Sequence, residues 1–281
     1  MTTAKDKNIF FHVGLPKTGS TFLQRNVFPK FNGIRFIKKH DFKHRDRIIE
    51  QSTHDKILMS IEINPDVQSG LEKLQDVSQK YPHTHTIIVL RQQGSWLKSK
   101  YKYYLRKHGT RSFDRYFDIN GTGILEPKNL LFYPKIKLLE YLFEPTPLVI
   151  FQEELKQNPY ATIDMLADYM GVTYDKNDIR IQTVKKSYTP KQLKNVRRFN
   201  RWYQYDHSHI TSKTKKFLYK KFSGLLLHSI AFMGTIIPDK QEDKETLIPS
   251  KKIEEVNEAY RGDWERCLDY ARSQRKLLFK T

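Results

Sequence analysis

An apolar run over residues 9–13, Ile-Phe-Phe-His-Val, leads without a break into Gly14-Leu15-Pro16-Lys17-Thr18-Gly19-Ser20-Thr21, and an amphipathic pattern continues over 21–31. A short apolar run, a loop with two glycines and a proline, and a helical pattern make a strand, loop and helix unit. Consecutive backbone N–H groups in such a loop, aided by the positive end of the following helix, form a site for a phosphate or sulfate group. The nucleotide triphosphatase loop reads G-x-x-x-x-G-K-[ST]. Gly14 and Gly19 keep that spacing, but Ser20 stands where the lysine belongs, and the lysine is Lys17, inside the loop. A kinase or ordinary ATPase needs the lysine directly after Gly19, whereas Lys17 would lie beside the anion as a point charge near a leaving-group oxygen.

The same alternation extends outward. Apolar runs at 56–60, 86–90 and 148–151 read as buried parallel strands, and amphipathic patterns at 71–80, 95–107 and 133–143 read as helices between them. The fold class is therefore α/β, a P-loop-like parallel sheet flanked by helices. Asn158 before Pro159 and Thr189 before Pro190 each place a capping side chain ahead of a proline at the first helical position. The second half reads as mostly helical, with a helix at 160–170 and a last one at 253–278, where Trp264, Cys267, Leu268 and Ala271 share a face. We expect a single domain, with a core at 8–200 and a helical extension at 201–281.

The chain has 281 residues, 38% of them apolar and 13% aromatic, enough for a sizeable core and too many for general disorder. Fifty Lys and Arg against 31 Asp and Glu give a net charge of +19, a field that draws phosphate, sulfate, nucleic acid or an anionic membrane. Cys267 is the only cysteine, which excludes an intramolecular disulfide and a four-cysteine zinc site and suits a reducing compartment. Cys267 reads as a core residue. The polar start and the brevity of the run at 9–13 predict no secretory segment, and a bacterial cytoplasmic enzyme is the expectation. The apolar stretch 222–237 follows Lys213, Lys215, Lys216, Lys220 and Lys221 and falls short of the roughly 20 residues that span a bilayer. It is a core helix or, with its basic flank, an interfacial one, so membrane-surface association through 213–237 is an open expectation.

Residues 16–21, Pro-Lys-Thr-Gly-Ser-Thr, match P-K-[TS]-G-[TS]-[TS] at every position, and the loop resembles the 5′-phosphosulfate loop of the sulfotransferase family. That resemblance implies transfer of a sulfuryl group from 3′-phosphoadenosine 5′-phosphosulfate (PAPS), leaving the bisphosphate PAP, with Pro16, Lys17, Thr18, Gly19, Ser20 and Thr21 at the cofactor. It also implies an arginine at the end of a later strand and a serine eight residues on, together holding the 3′-phosphate. Arg91 follows the run 86–90 and Ser99 follows Arg91 by eight. Residues 147–155 followed by the helix that ends at Met170-Gly171 resemble a further strand and turn of the family. Lys185-Lys186-Ser187-Tyr188-Thr189-Pro190 resembles a basic loop over the nucleotide, from which Lys185 or Lys186 would reach the 3′-phosphate; for each, a solvated surface lysine is the plain alternative.

For the proton of an acceptor hydroxyl, Glu62 is the candidate base, since it follows the run 56–60 at the sheet edge where α/β sites open. Ser60-Ile61-Glu62 also resembles an S-x-E stretch of bacterial and glycan members. The alternatives are a carboxylate paired with a basic neighbour and, as the base, one of His40, His44, His54 or His108. The run 98–115 interleaves cations with Tyr101, Tyr103 and Tyr104, which suits a solvated basic helix, a face for a glycan acceptor or, less well, nucleic acid. Arginine, lysine and amide donors would meet the charge without a metal. The reading is a sulfotransferase acting on a glycan hydroxyl; the alternatives are a P-loop kinase and a non-catalytic binder of polyanions or nucleic acid.

Overall fold

In the computed structural model, which describes residues 7–181, 188–203, 211–233 and 246–279, five parallel strands form one sheet. They are β1 (Asn8–Gly14), β2 (Arg35–Ile37), β3 (Lys56–Glu62), β4 (His85–Leu90) and β5 (Leu148–Phe151), in the order β2-β3-β1-β4-β5. Four of these are the expected apolar runs. β2 is three residues long and on the edge, too short to leave a periodic signal. The described helices are α1 (Ser20–Phe22), α2 (Arg45–Gln51), α3 (Gln68–Lys80), α4 (Gln93–Arg106), α5 (Phe113–Tyr116), α6 (Tyr133–Leu142), α7 (Gln152–Gln157), α8 (Pro159–Met170), α9 (Pro190–Trp202), α10 (Lys213–Met233), α11 (Ser250–Ala259) and α12 (Arg261–Phe279).

The chain divides into two compact units: Met1–Gln93, Lys128–Val184 and Ala259–Thr281 make the first, Gly94–Pro127 and Lys185–Glu258 the second. In the first unit β1 is central and covered on both faces, which explains its nearly unbroken apolar sequence. Alternate side chains of the strands serve opposite faces. On one face Phe10, Leu58, Ile87, Val89, Leu148 and Ile150 pack with Leu23, Val27 and Phe28 and with Ile163, Leu166, Ala167 and Met170 of α8. Leu166 is fully buried there, and truncating such a side chain to alanine costs about 2–5 kcal/mol. On the other face Phe11 stacks on Phe42 and meets Phe143 edge-on, with ring centroids 5.8 and 6.4 Å away, and α12 packs on β5 and α6. Cys267 is buried on α12 as expected.

Both proline-marked caps form. Asn158 Oδ1 accepts from Ala161 N at 3.2 Å, and Gly171 ends α8 at φ 59°. Thr189 Oγ1 accepts from Gln192 N at 3.2 Å while Gln192 Oε1 accepts from Thr189 N at 2.8 Å, a reciprocal capping box. The helix expected over 21–31 is not a uniform α-helix. After α1 the chain widens into a π-helical turn over Leu23–Val27 and tightens into a 3₁₀ turn over Phe28–Lys30, because Pro29 has no N–H to donate and its ring opposes a continuing α-helix. The pattern over 253–278 is two helices, with a turn at Tyr260 and the poor helix former Gly262 beside it. Asp263, buried in the first turn of α12, accepts from Gln93 Nε2 (2.9 Å), Phe132 N (2.8 Å) and Tyr133 N (3.1 Å), so it fastens the start of α6.

The second unit is built around aromatic side chains. Tyr101 meets Phe113 edge-on at 5.2 Å and stacks with Tyr104 at 6.1 Å, and Tyr104 lies 4.7 Å from Tyr116. Asn200 of α9 donates to Leu105 O (2.8 Å) and Gly109 O (2.9 Å), and α9 packs on α10. The residues expected to form a helical extension are divided between the units, with α10 in the second and α12 in the first.

Candidate active site

The loop after β1 sits at the carboxyl end of the sheet, where Gly14 pairs in register with Glu62 on β3 and with Val89 on β4. Two side chains shape it from within: Thr18 Oγ1 donates to Leu15 O at 2.8 Å and Ser20 Oγ to the same carbonyl at 3.3 Å. Both residues are buried. Lys17 (φ 74°) and Gly19 (φ 106°) adopt the left-handed conformation, which costs a non-glycine residue roughly 1–2 kcal/mol. The consequence is a concave run of amides. Among the described residues, no carbonyl meets the backbone N–H groups of Gly19 and Ser20, the arrangement that binds anions. Gly14 lets the chain close this tightly: a Cβ there would lie 2.7 Å from Ser20 Oγ and 3.2 Å from His12 Cε1. A Cβ on Gly19 would stand 3.3 Å from Leu155 Cδ2.

Arg91 reaches this loop, its Nη1 donating to Lys17 O at 3.2 Å. Burial lowers the pKa of the half-buried guanidinium and the nearby Glu153 carboxylate raises it back in part; an arginine side chain stays protonated throughout. Glu153 Oε1 also accepts from Gln92 N at 3.3 Å, tying the segment after β4 to α7. Lys156, one residue past Leu155, joins the group: burial and then the Arg91 charge lower its pKa. No motif pointed to Lys156, because its proximity depends on where α7 turns. Glu154 is committed elsewhere, held by Arg275 at 2.7 and 2.8 Å, and Arg275 also donates to Val149 O at 2.8 Å.

Glu62 is exposed at the end of β3 and forms no hydrogen bond or ion pair among the described residues, so the reading as a paired structural carboxylate finds no partner. His54 precedes β3 and so stands at the opposite end of that strand from Glu62. His40, exposed, pairs with Asp41 at 3.2 Å, His44 is exposed in the turn Phe42–His44, and His108 belongs to the second unit. The histidine beneath the loop is His12, absorbed in the apolar run in the sequence reading. Its ring is wholly buried, and burial pushes its pKa down to about 3, so it is neutral. Its Nδ1 lies 2.7 Å from Ser60 Oγ, which accepts from Gln24 Nε2 at 3.0 Å. Gln24 lies on the π-helical turn, so this buried network ties β1, β3 and the segment after the loop together.

Ser99 is half-buried on α4, which starts at Gln93, two residues before the start of the pattern expected over 95–107, and continues into the second unit. Lys186 and Lys185 lie outside the described residues. In the run 98–115 the aromatic half of the pattern is largely structural: Tyr101 is buried and donates to Arg111 O at 2.9 Å, and Tyr104 is packed in the aromatic cluster. Tyr103 remains exposed. Arg111 and Arg115, with Thr110, Ser112 and Arg201 of α9, line a groove of the second unit, and none of these three guanidiniums pairs with a carboxylate among the described residues.

No family model matches the sequence, and no curated protein matches it. Solved structures do. A sulfotransferase from Alicyclobacillus acidocaldarius is 17% identical, with 63% of this chain and 87% of that one covered and a TM-score of 0.47. Mouse sulfotransferase SULT7A1, solved in complex with PAP, is 14% identical, with 61% of each chain covered and a TM-score of 0.38. Both are distant likenesses, and both are to sulfotransferases.

Proposed function

We propose that this chain is a PAPS-dependent sulfotransferase that places a sulfuryl group on a hydroxyl of a carbohydrate acceptor. The observation that carries the reading is the meeting of Arg91 with the loop through Lys17 O, since it puts a permanently charged fork beside a nest of amides without partners. Two adjoining anion sites of different chemistry suit a ligand with two separate anionic ends. The residues fit PAPS in charge as well, with Lys17, Arg91 and Lys156 grouped at the site.

When bound, PAPS supplies an activated sulfuryl group on a phosphate leaving group. The segment Pro16 to Thr21 would hold that end through the backbone N–H groups that follow the proline. Lys17 would meet the negative charge that grows on the departing oxygen. Arg91 would hold the 3′-phosphate, with Ser99 and Lys186 in the roles their sequence positions suggest. Glu62, exposed beside Gly14 and without a partner, would take the proton from the acceptor hydroxyl on its carboxylate. The net charge of +19 favours an acceptor that is itself anionic, such as a carboxylated or sulfated glycan. The kinase alternative is disfavoured by Ser20, buried with its hydroxyl on Leu15 O at the position where that mechanism needs a lysine at the phosphates.

The test is incubation of the full chain with sulfur-labelled PAPS and a panel of neutral and acidic glycans. Label on an acidic glycan is the expected result. Hydrolysis or transfer from ATP with PAPS left intact would place the chain among the kinases and ATPases instead.

A further inference from the structure

The helix α10 is mounted with its apolar side outward. Phe217, Leu218, Phe222, Leu225 and Phe232 are between 52% and 67% exposed, while Ser223, Leu227 and Ala231, four residues apart on the opposite side, are buried. A helix on the surface of a water-soluble protein turns its large apolar side chains the other way. The 21 residues of α10 include no carboxylate and five lysines, all in its first half. Lys221 Nζ stands 5.0 Å from the centroid of the Phe217 ring, so an ammonium group lies on the apolar face itself. Lys215 of the same helix is exposed, and Trp202, at the end of α9 in the same unit, is 82% exposed.

We infer that α10 lies in the interface of an anionic lipid membrane, with its exposed Phe and Leu side chains at the acyl boundary and Lys215 and Lys221 among the phosphate headgroups. The choice of occupant follows from charge. A second copy of this chain would bring two lysine-bearing faces together on molecules of net charge +19 each, whereas an anionic headgroup layer neutralises the lysines while the acyl chains take the rings. Long lysine stems reach from such a face to the headgroups, and aromatic rings settle at that depth. No described helix is long and apolar enough to cross a membrane, so α10 lies on the surface. The core-helix reading of 222–237 holds for Leu227 and Ala231, which are buried, and not for Phe222, Leu225 and Phe232, which are exposed; residues 234–237 lie outside the described residues.

The experiment is co-sedimentation of the full chain with vesicles of phosphatidylcholine alone and of phosphatidylcholine with phosphatidylserine, together with sedimentation equilibrium without lipid. The chain should bind the phosphatidylserine vesicles strongly, the others weakly, and less as salt is raised. Leu225→Asp should lower binding about tenfold or more, and Lys221→Glu at least about fivefold, with thermal unfolding unchanged because both side chains are exposed. Equal, weak binding to both vesicles overturns the inference. So does a concentration-dependent dimer that Leu225→Asp dissociates, since the face would then be covered by a second copy. Both readouts are independent of sulfuryl transfer.

Discussion

Replacing Gly14 with alanine tests how the loop is built. The added Cβ would lie 2.7 Å from Ser20 Oγ, 3.0 Å from Ser20 Cβ and 3.2 Å from His12 Cε1. Carbon contacts settle at about 3.5–4.0 Å, so Ser20 must retreat by roughly half an ångström or more. Neither neighbour has room, because Ser20 and His12 are both buried. The backbone at Gly14 is outside the left-handed region, so the cost is steric alone. Overpacking of this kind costs about 1–3 kcal/mol, and the Ser20 to Leu15 hydrogen bond, at 3.3 Å, would be strained with it. Ser20 also supplies one of the unpaired N–H groups, so its displacement should weaken PAP binding about tenfold, or about 1.4 kcal/mol. Denaturant unfolding reads the first quantity and calorimetric titration with PAP the second. Adding Ser20→Ala to Gly14→Ala removes the nearest atom and leaves the Cβ contact, so part of the stability should return, with a coupling of about 0.5 kcal/mol or more. Wild-type stability and affinity in Gly14→Ala, or strictly additive effects in the double variant, would refute the packing argument.

Lys17→Ala should lower kcat more than it weakens PAP binding, because its charge matters most as the leaving oxygen becomes negative; a loss confined to affinity would make it a binding residue only. Glu62→Gln should leave PAP affinity near wild type and reduce turnover by about 10² to 10⁴, and near-normal turnover would remove Glu62 from the mechanism. For His12, whose folded pKa is about 3 against 6.5 for a free imidazole, the unfolded chain binds the extra proton between those values. Stability should therefore fall as pH drops through 6.5 towards 3, by about 1.4 kcal/mol per unit from this group. His12→Asn should flatten the profile, and an unchanged slope between about pH 7 and 4 would show that His12 is not the source.

The sheet was legible because parallel strands buried on both faces must be apolar throughout, as in β5, where all four residues are buried. The capped helices α8 and α9 were legible because Asn158-Pro159 and Thr189-Pro190 specify their own starts. Local signals failed where packing decides. The turn Leu23–Val27 becomes π-helical in a segment whose periodicity is ordinary, and α12 separates from α11 where Asp263 turns inward to cap α6. At the site, the loop and Arg91 carry their chemistry in their spacing. His12, Gln24 and Lys156 do not, since a histidine in an apolar strand, a glutamine after a loop and a lysine on a short helix look alike in countless sequences. Only the sheet register and the turn of α7 make them neighbours of the loop. The tyrosines of 98–115 misled in the other direction: they alternate with cations in sequence, yet Tyr101 is core and Tyr104 is half-buried against it.

The central claim is that Arg91 and the loop together read a nucleotide with a 3′-phosphate, and calorimetric titration of wild type and Arg91→Ala with PAP, AMP and ATP tests it most directly. Charged hydrogen bonds of this type are worth about 1.5–3 kcal/mol, so wild type should bind PAP roughly 10- to 150-fold more tightly than AMP. Arg91→Ala should lose most of that difference while keeping its AMP affinity. Equal affinity of wild type for PAP and AMP, or tighter binding of ATP than of PAP, would contradict the account.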